Sequence, residues 1–276
     1  MTIMQRLGTA AREGRLWSVT RRRLLIPYAI LRELYLRFFL KLRIVKPMTL
    51  PSLLYSGSFS RTAEGKTLKD CFEAACTEPS NLPAQIRDIE GMSGQRYRSF
   101  INRLVGSVAD ARYLEVGSWA GSTAAAALFG NRVTALCIDN WSMFGGPRLQ
   151  FFENMKLVLS EKISFRIIEQ DFRKVDFGSI GRFNVYLFDG PHEERDQYDG
   201  VVLAQPALPD RYYLIVDDWN WQAVRLGTFQ ALRDTGCRVD SAVEIRTSLD
   251  NEQPLDRGAN SDWHNGYFLA VVFKTP

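Results

Sequence analysis

The stretch of this chain that most constrains its fold is Arg112–Thr123, where an apolar run, two glycines and a helix start follow one another. The apolar run predicts a buried strand, and Gly117 and Gly121 supply the backbone freedom of a tight turn. Ser122 or Thr123 then predicts an N-cap for the alanine-rich helix that follows. A strand that passes through a glycine loop into a helix is typical of the first unit of an α/β ligand-binding domain.

The spacing of this loop indicates which ligand it accepts. A dinucleotide-binding loop reads G-x-G-x-x-G and places a pyrophosphate at the helix N-terminus, whereas this chain reads E-x-G-x-x-x-G from Glu115 to Gly121. The Glu115 carboxylate would repel a pyrophosphate. It suits S-adenosylmethionine, which carries an ammonium and a sulfonium and leaves one carboxylate for the helix amides.

A second carboxylate supports the same ligand. Asp139 ends the next apolar strand, 22 residues after Gly117, near the distance at which such folds hold ribose hydroxyls. An ordinary strand-to-helix turn would carry the same glycines, so the cofactor interpretation depends on the pairing of the loop with Asp139.

The rest of the chain alternates strand-like and helix-like segments, which predicts a mostly parallel sheet with helices on both faces. The last two strand-like segments, 238–246 and 266–274, follow one another without a helix and predict an antiparallel pair at one sheet edge. Acids end the predicted strands, where open α/β sheets bind their ligands: Glu115, Asp139, Asp171, Asp189 and Asp217.

Together these motifs resemble the class I S-adenosylmethionine-dependent methyltransferases, and within them the metal-dependent O-methyltransferases of the catechol and macrocin type. The likeness covers about residues 90–276 and is carried by Glu90–Gln95 (EGMSGQ), Leu114–Gly117 (LEVG), Cys137–Asp139 (CID), Leu187–His192 (LFDGPH) and Val216–Asp218 (VDD). The resemblance implies a Rossmann-like methyltransferase sheet with an antiparallel C-terminal edge strand. It also implies that Met92 and Ser93 line the methionyl and metal side of the cofactor.

Three acids are candidate metal ligands, because Asp189, Asp217 and Asp218 end two adjacent central strands. Hard oxygen ligands select Mg²⁺ or a similar divalent cation, which would hold a hydroxyl pair of the acceptor and direct one oxygen at the sulfonium methyl. The resembled family places metal ligands at these positions, although its catechol-type members have Asp-Asn where this chain has Asp-Asp. The alternative is that the acids cap helices or pair with arginines.

His192 is the predicted general base, since it stands three residues after Asp189 and an imidazole suits proton removal near neutrality. The catechol-type enzymes carry a lysine at the equivalent spacing, and some antibiotic-sugar members carry a histidine. The alternative is a helix N-terminal residue that packs against the loop. The other histidine, His264, is predicted to be a loop residue.

Less specific signals surround the other end of the cofactor. Trp141 is placed for the adenine face, and the residues at the end of the third strand are placed to bond the adenine amino group; core or surface roles are the alternative. Trp219 and Trp221 follow the proposed metal ligands and are candidates for an acceptor-pocket wall or for the core. The adenosine candidates are Asn140, Trp141, Gln170 and Asp171.

The charge of the chain is unevenly distributed. Residues 1–46 hold eleven basic and two acidic residues, whereas the rest holds 24 basic and 29 acidic ones, for an overall net charge of +4. Charges such as Arg37 keep every apolar run of residues 21–46 short of the roughly 20 residues of a spanning helix. Three interpretations stay open for this segment: packing on the core or a second subunit, peripheral contact with the inner face of a membrane, and a phosphate-binding arm.

Composition divides the 276-residue chain into three regions. Residues 1–60 are predicted to form a basic amphipathic extension, 61–110 a helical cap or lid, and 111–276 the cofactor-binding core. Nearby prolines and the run Ser56–Ser58 predict a linker after the basic helix. Four cysteines without C-x-x-C spacing indicate a reducing, cytoplasmic compartment.

The sequence therefore predicts an S-adenosylmethionine-dependent O-methyltransferase that methylates a hydroxyl of a small molecule or glycan. A sugar is the preferred acceptor. A homo-oligomer is one option that the sequence leaves open. A nucleic-acid methyltransferase is the rival suggested by the basic segment, but Asp189 is followed by Gly-Pro-His and not by the Pro-Pro-Tyr of amino-methylating enzymes. A non-catalytic module of the same fold is the other rival. The residues that disfavour it are Glu115, Gly117, Gly121 and Asp139.

Overall fold

The computed structural model describes residues 51–254 and 258–275, and an eight-stranded sheet lies at their centre. The strands are β1 (Ser52–Gly57), β2 (Arg112–Val116), β3 (Val133–Ile138), β4 (Ile163–Ile168), β5 (Val185–Phe188), β6 (Arg211–Val216), β7 (Cys237–Arg246) and β8 (Tyr267–Lys274). The α-helices of the described residues are α1 (Ala63–Thr77), α2 (Ala84–Arg87), α3 (Gln95–Ser107), α4 (Ser122–Leu128), α5 (Arg148–Lys156), α6 (Glu194–Ala204) and α7 (Gln222–Asp234). The predicted basic helix of residues 21–46 lies outside the described residues.

The strand order is β1-β7-β8-β6-β5-β2-β3-β4. Strands β6, β5, β2, β3 and β4 are parallel, while β8 runs antiparallel to both β6 and β7, and β1 runs antiparallel to β7. The predicted fold class, a mostly parallel Rossmann-like sheet with an antiparallel portion at one side, is confirmed. Two details differ: β8 is an internal strand, and residues 52–57, within the predicted linker region, form the edge strand β1.

Alternation of side chains along the strands separates two apolar layers. Tyr113 and Leu187 face the layer that contains α1 to α5, whereas Leu114 and Phe188 face the layer that contains α6 and α7. Both faces of the central strands are therefore covered, as expected for parallel strands that are apolar throughout.

Helices α3 and α4 are joined by a polar contact. The Asn102 side-chain amide donates to the carbonyl oxygens of Ala126 at 2.7 Å and Phe129 at 2.8 Å. Carbonyls at a helix C-terminus lack intrahelical donors, so Asn102 of α3 supplies what the end of α4 needs. The four consecutive alanines of α4 are fully buried, and their small side chains let the helix lie close to its neighbours.

The register of the parallel strands aligns their carboxyl ends. Val116 pairs with Ile138 of β3 and Phe188 of β5, and Phe188 pairs with Val216 of β6. The residues that follow these four positions therefore leave the sheet at the same level: Gly117, Asp139, Asp189 and Asp217. No helix in residues 51–254 or 258–275 is long and apolar enough to cross a bilayer.

Candidate active site

The glycine loop between β2 and α4 begins and ends with a left-handed glycine. Gly117 has φ +88°, and a Cβ there would lie 1.8 Å from the backbone oxygen of Asp189. Gly121 has φ +82° and is itself the N-cap of α4. The prediction that Ser122 or Thr123 caps the helix is wrong, because both residues lie in its first turn and are buried. The loop thus lies directly against the end of β5.

Glu115 is a buried acid at the centre of this site. It is 1% exposed, and the Tyr113 hydroxyl donates to its carboxylate from two residues earlier on the same strand. Burial raises the pKa of Glu115 to about 8, although the hydrogen bonds from Tyr113 and Ser118 oppose the shift. In the absence of a cation Glu115 is therefore largely protonated at neutral pH, and a bound ammonium group would favour its ionised form.

The raised pKa of Glu115 predicts a pH dependence of stability. A carboxyl that binds its proton more tightly when folded contributes fully at low pH, and this contribution is lost as pH rises from the unfolded pKa through the folded one. Between about pH 4.5 and pH 8 the free energy of unfolding of the ligand-free protein should therefore fall, by up to about 1.4 kcal/mol per pH unit. Urea titrations across this range should show a shallower fall for Glu115→Gln. The exposed variant Glu153→Gln is the control, and equal slopes for parent and Glu115→Gln would contradict the assignment.

Asp139 connects the two loops that leave β2 and β3. Its carboxylate oxygens accept the backbone N–H groups of Trp119 at 2.7 Å and Trp141 at 2.6 Å. Both tryptophans have positive φ, 45° and 49°, which is unusual for bulky residues and is maintained here by these bonds. Each carboxylate oxygen keeps a second lone pair for a hydroxyl group, so the geometry is compatible with a ribose.

The other adenosine candidates are engaged locally. Trp141 is partly buried and its indole N–H donates to the carbonyl of Trp119 at 3.1 Å. Asn140 and Asp171 each accept a backbone N–H two residues further on, and the Gln170 amide donates to a carbonyl four residues on. These bonds account for Asn140, Gln170 and Asp171 as turn-forming residues, and their adenosine contacts stay predictions.

The candidate metal ligands are grouped differently from the sequence prediction. Ligand atoms of Asp189, His192 and Asp218 all lie within 4.8 Å of one another. His192 Nε2 lies 2.5 Å from Asp218 Oδ2 and 3.8 Å from Asp189 Oδ1. Asp217, the third predicted ligand, is not part of this group. The His192 imidazole is the third member of the group. Asp217 and Asp218 are consecutive, so their side chains diverge, and of the two Asp218 is the one that contacts His192.

The protonation states of Asp217 and His192 follow from their burial and from the neighbouring acids. Burial raises the pKa of Asp217 well above its usual range, and the charges of Asp189 and Asp218 add to the shift. Asp217 is therefore a neutral carboxyl hydrogen-bonded to Asp189. Burial lowers the pKa of His192, but Asp189 and Asp218 outweigh burial and raise it to about 10. Without a bound cation the imidazole is charged, so it becomes a base only when another positive charge neutralises the two acids.

Asp218 is held in position by a chain of amides that the sequence did not indicate. The residue has φ +55°, and the Asn265 amide donates to its Oδ1 at 2.6 Å. The Asn220 amide donates to Asn265 at 2.8 Å. Asn265 is 47 residues from Asp218 in the sequence, and no spacing rule connects an asparagine in a turn to a strand end so far away.

The two tryptophans after the acids have different roles. Trp219 is fully buried, stacks on Phe268 at 4.5 Å and donates its indole N–H to Glu244 at 2.9 Å, so it belongs to the core. Trp221 is partly exposed, and its ring meets that of His192 edge-on at 5.0 Å. Of the two, only Trp221 combines partial exposure with a contact to His192.

Two buried tyrosines that the sequence did not indicate lie close to Asp189 and Asp217. Tyr97 of α3 and Tyr267 of β8 stack with ring centroids 3.7 Å apart, and both are fully buried. Neither hydroxyl has a hydrogen-bond partner within the described residues. Burial raises the pKa of each well above its usual range, and the nearby charge of Asp217 adds to this. Both are therefore neutral donors close to Asp189 and Asp217.

A surface cleft of about 320 Å³ lies elsewhere, between α1 and the start of α3. Its charged lining residues pair with partners, as Arg96 does with Asp262 at 2.8 Å and Glu78 with Arg103 at 2.8 Å. The charged side chains of the cleft are therefore all engaged in ion pairs among the described residues.

No family model matches the chain, and no curated protein matches it. Solved structures with a similar fold include TrmN from Thermus thermophilus, with 16% identity over 74% of this chain, a TM-score of 0.44 and 52% of TrmN covered, so that the chain spans about half of its length. SAH-bound methyltransferase PaMTH1 from Podospora anserina is 14% identical over 76% of this chain and 88% of its own, with a TM-score of 0.44. An O-methyltransferase from Bacillus cereus in complex with SAH is 15% identical over 75% and 90%, with a TM-score of 0.44. These values are low, so the assignment of function rests on the residues of this chain.

Proposed function

We propose that the protein is an S-adenosylmethionine-dependent O-methyltransferase. The observation that carries the proposal is the direct contact between the glycine loop and the acid group, by which we mean Asp189, His192 and Asp218. Gly117 of the loop abuts the backbone of Asp189. A cofactor held by the loop would therefore present its reactive end to Asp189, His192 and Asp218. Glu115 precedes the loop on β2, and Asp139 accepts the backbone N–H of Trp119 within the loop. Their carboxylates would bind an ammonium and ribose hydroxyls, respectively.

The chemistry divides between cofactor and protein. S-adenosylmethionine supplies an electrophilic methyl group on a sulfonium. The residues of this chain orient an acceptor hydroxyl toward that methyl and accept its proton, which are the positioning and general-base contributions to catalysis. Trp221 and His192 lie on the acceptor side, and the neutral hydroxyls of Tyr97 and Tyr267 are available as donors.

A divalent cation fits the acid group. Two carboxylates and an imidazole within 4.8 Å offer three ligand atoms, and two carboxylates suit Mg²⁺ or Mn²⁺. Asp189 and Asp218 would hold the ion. His192 is either the third ligand or the base, because a nitrogen lone pair that binds a metal cannot also take a proton.

The acceptor in this proposal is a hydroxyl of a small molecule or a glycan. Trp221 supports it, since a partly exposed aromatic ring beside the base suits a sugar ring or a flat phenol. Screening sugars, phenols and RNA for methyl transfer would separate this proposal from a nucleic-acid methyltransferase.

Calorimetric binding of S-adenosylmethionine and its demethylated product tests the cofactor. We expect both ligands to bind the parent protein and Asp139→Ala to weaken binding by about 10²-fold, the effect of losing a pair of hydrogen bonds to a charged group. The matched control is Asp176→Ala, which removes an exposed acid that accepts the N–H of Gly178. Binding by Asp139→Ala at parental affinity would refute the ribose assignment, and no binding by the parent would refute the methyltransferase proposal.

A further inference from the structure

Arg98 of α3 is a buried cation without an acidic partner among residues 51–254 and 258–275. It is 0% exposed. One terminal nitrogen donates to the carbonyl oxygens of Arg87 and Ile89, both at 2.7 Å, and Nε donates to the Ser93 hydroxyl at 3.0 Å. The other terminal nitrogen, Nη2, has no partner among the described residues. The acid with the largest effect on it, Asp88, is exposed and pairs with Arg87 at 3.5 Å.

A buried guanidinium with an unsatisfied N–H destabilises the folded protein unless an acceptor binds that N–H. A guanidinium out of water needs either a carboxylate or a full set of acceptors, and the acceptors here are all neutral. A charged group with one donor left over therefore indicates a site for an anion that the described residues do not supply.

The unpaired nitrogen lies near Ser122, the residue that follows the glycine loop. A Cβ at Gly91 would lie 1.9 Å from the Ser122 hydroxyl and 3.2 Å from Arg98 Nη2, so these two groups are neighbours across Gly91. The Ser93 hydroxyl lies 3.2 Å from that of Ser122. Ser122 is the residue that directly follows the loop. Two hydroxyls and a guanidinium thus converge beside the proposed cofactor.

Two buried ionisable groups of opposite kind, an acid and a guanidinium, belong to the segments around the loop. Glu115 supplies an acid that a bound ammonium would ionise. Arg98 supplies a cation with an unpaired nitrogen among the described residues. An α-amino acid group carries the complementary pair, an ammonium and a carboxylate. We infer that Arg98, with Ser93 and Ser122, binds the α-carboxylate of the amino-acid portion of the ligand and so selects S-adenosylmethionine over analogues that lack this carboxylate. The inference rests on the proposed function and extends it to the choice of ligand.

Decarboxylated S-adenosylmethionine is the probe, because it keeps the ammonium, the sulfonium and the adenosine. The parent protein should bind it about 10²-fold more weakly than S-adenosylmethionine, the usual effect of a charge-assisted pair. Equal affinities would overturn the inference without any variant. If S-adenosylmethionine itself does not bind, it is the proposed function that fails.

Arg98→Met adds the second arm of the experiment. Its affinity for S-adenosylmethionine should fall to about that of the decarboxylated probe, and its affinity for the probe should stay within about threefold of the parent, since the two effects act on one contact. An equal fall for both ligands would mean that Arg98 only supports the fold, and no fall would also overturn the inference. The matched control is Arg103→Met. Arg103 lies on the same helix but forms an ion pair with Glu78, so its replacement should leave both affinities unchanged.

Discussion

Replacing His192 with alanine should lower methyl-transfer turnover by about 10²-fold or more, the usual effect of losing a general base. The imidazole lies 2.5 Å from Asp218 and beside Asp189, at the place where the acceptor hydroxyl would be held. It is not in contact with Asp139 or the adenosine end, so binding of S-adenosylmethionine should be largely retained. Single-turnover rates and calorimetry on the same variant separate the two effects. An unchanged rate would remove His192 from the mechanism.

The manner of rescue distinguishes the two roles of His192. If it is the base, activity of His192→Ala should recover as pH rises, because hydroxide can replace the lost base. If it is a metal ligand, activity should recover with excess divalent cation. Turnover of the parent in a chelator tests the cation itself, and unchanged turnover there would exclude it. Asp218→Ala should reduce activity more than Asp217→Ala, because only Asp218 belongs to the group with His192.

Replacing Gly117 with alanine should destabilise the protein by more than about 3 kcal/mol, a large value for one methyl group. The residue has φ +88°, and its new Cβ would lie 1.8 Å from a backbone oxygen and 2.4 Å from the carbonyl carbon of Asp189. Backbone atoms at the end of a buried strand cannot rotate away as a flexible side chain can. The strands β2 and β5 would have to separate at their carboxyl ends, so cofactor binding should be lost together with stability.

Gly130→Ala is the matched control for this variant. It has a similar φ of +74°, but its Cβ would meet no atom within 4 Å. Only the backbone strain applies there, about 1–2 kcal/mol. Urea unfolding of both variants measures the difference, and equal destabilisation would show that contact with Asp189 does not explain the glycine at position 117.

Local patterns predicted the parallel part of the fold well, since the apolar runs, the glycine loop and the strand-end acids are each encoded within a few residues. The edge strand β1 was missed because it is short and its polar neighbours are typical of a linker. It is a strand only because residues 52–57 pair with residues 241–246 of β7, far away in the sequence. Such pairing is a tertiary effect that local composition does not reveal.

The sequence predicted which strand ends carry the acids of the site, but it did not predict the directions of their side chains. The sequence brings Asp189 and the Asp217–Asp218 pair to one edge, but it does not say which of two consecutive acids turns toward His192. That choice depends on the positive φ of Asp218 and on the amide of Asn265. Arg98 was missed for a related reason, because an arginine in a helix is normally exposed and only the packing of α3 makes it buried.

The amide bridge from Asn102 to the end of α4 has a consequence for the speed of ligand capture. It links the helix that carries Arg98 to the helix that follows the glycine loop, which favours a fixed spacing between these two helices in the free protein. A site already ordered in the free protein loses little conformational entropy when it is filled. Association should then follow a single exponential whose rate grows linearly with ligand concentration, without the plateau that a preceding rearrangement would impose.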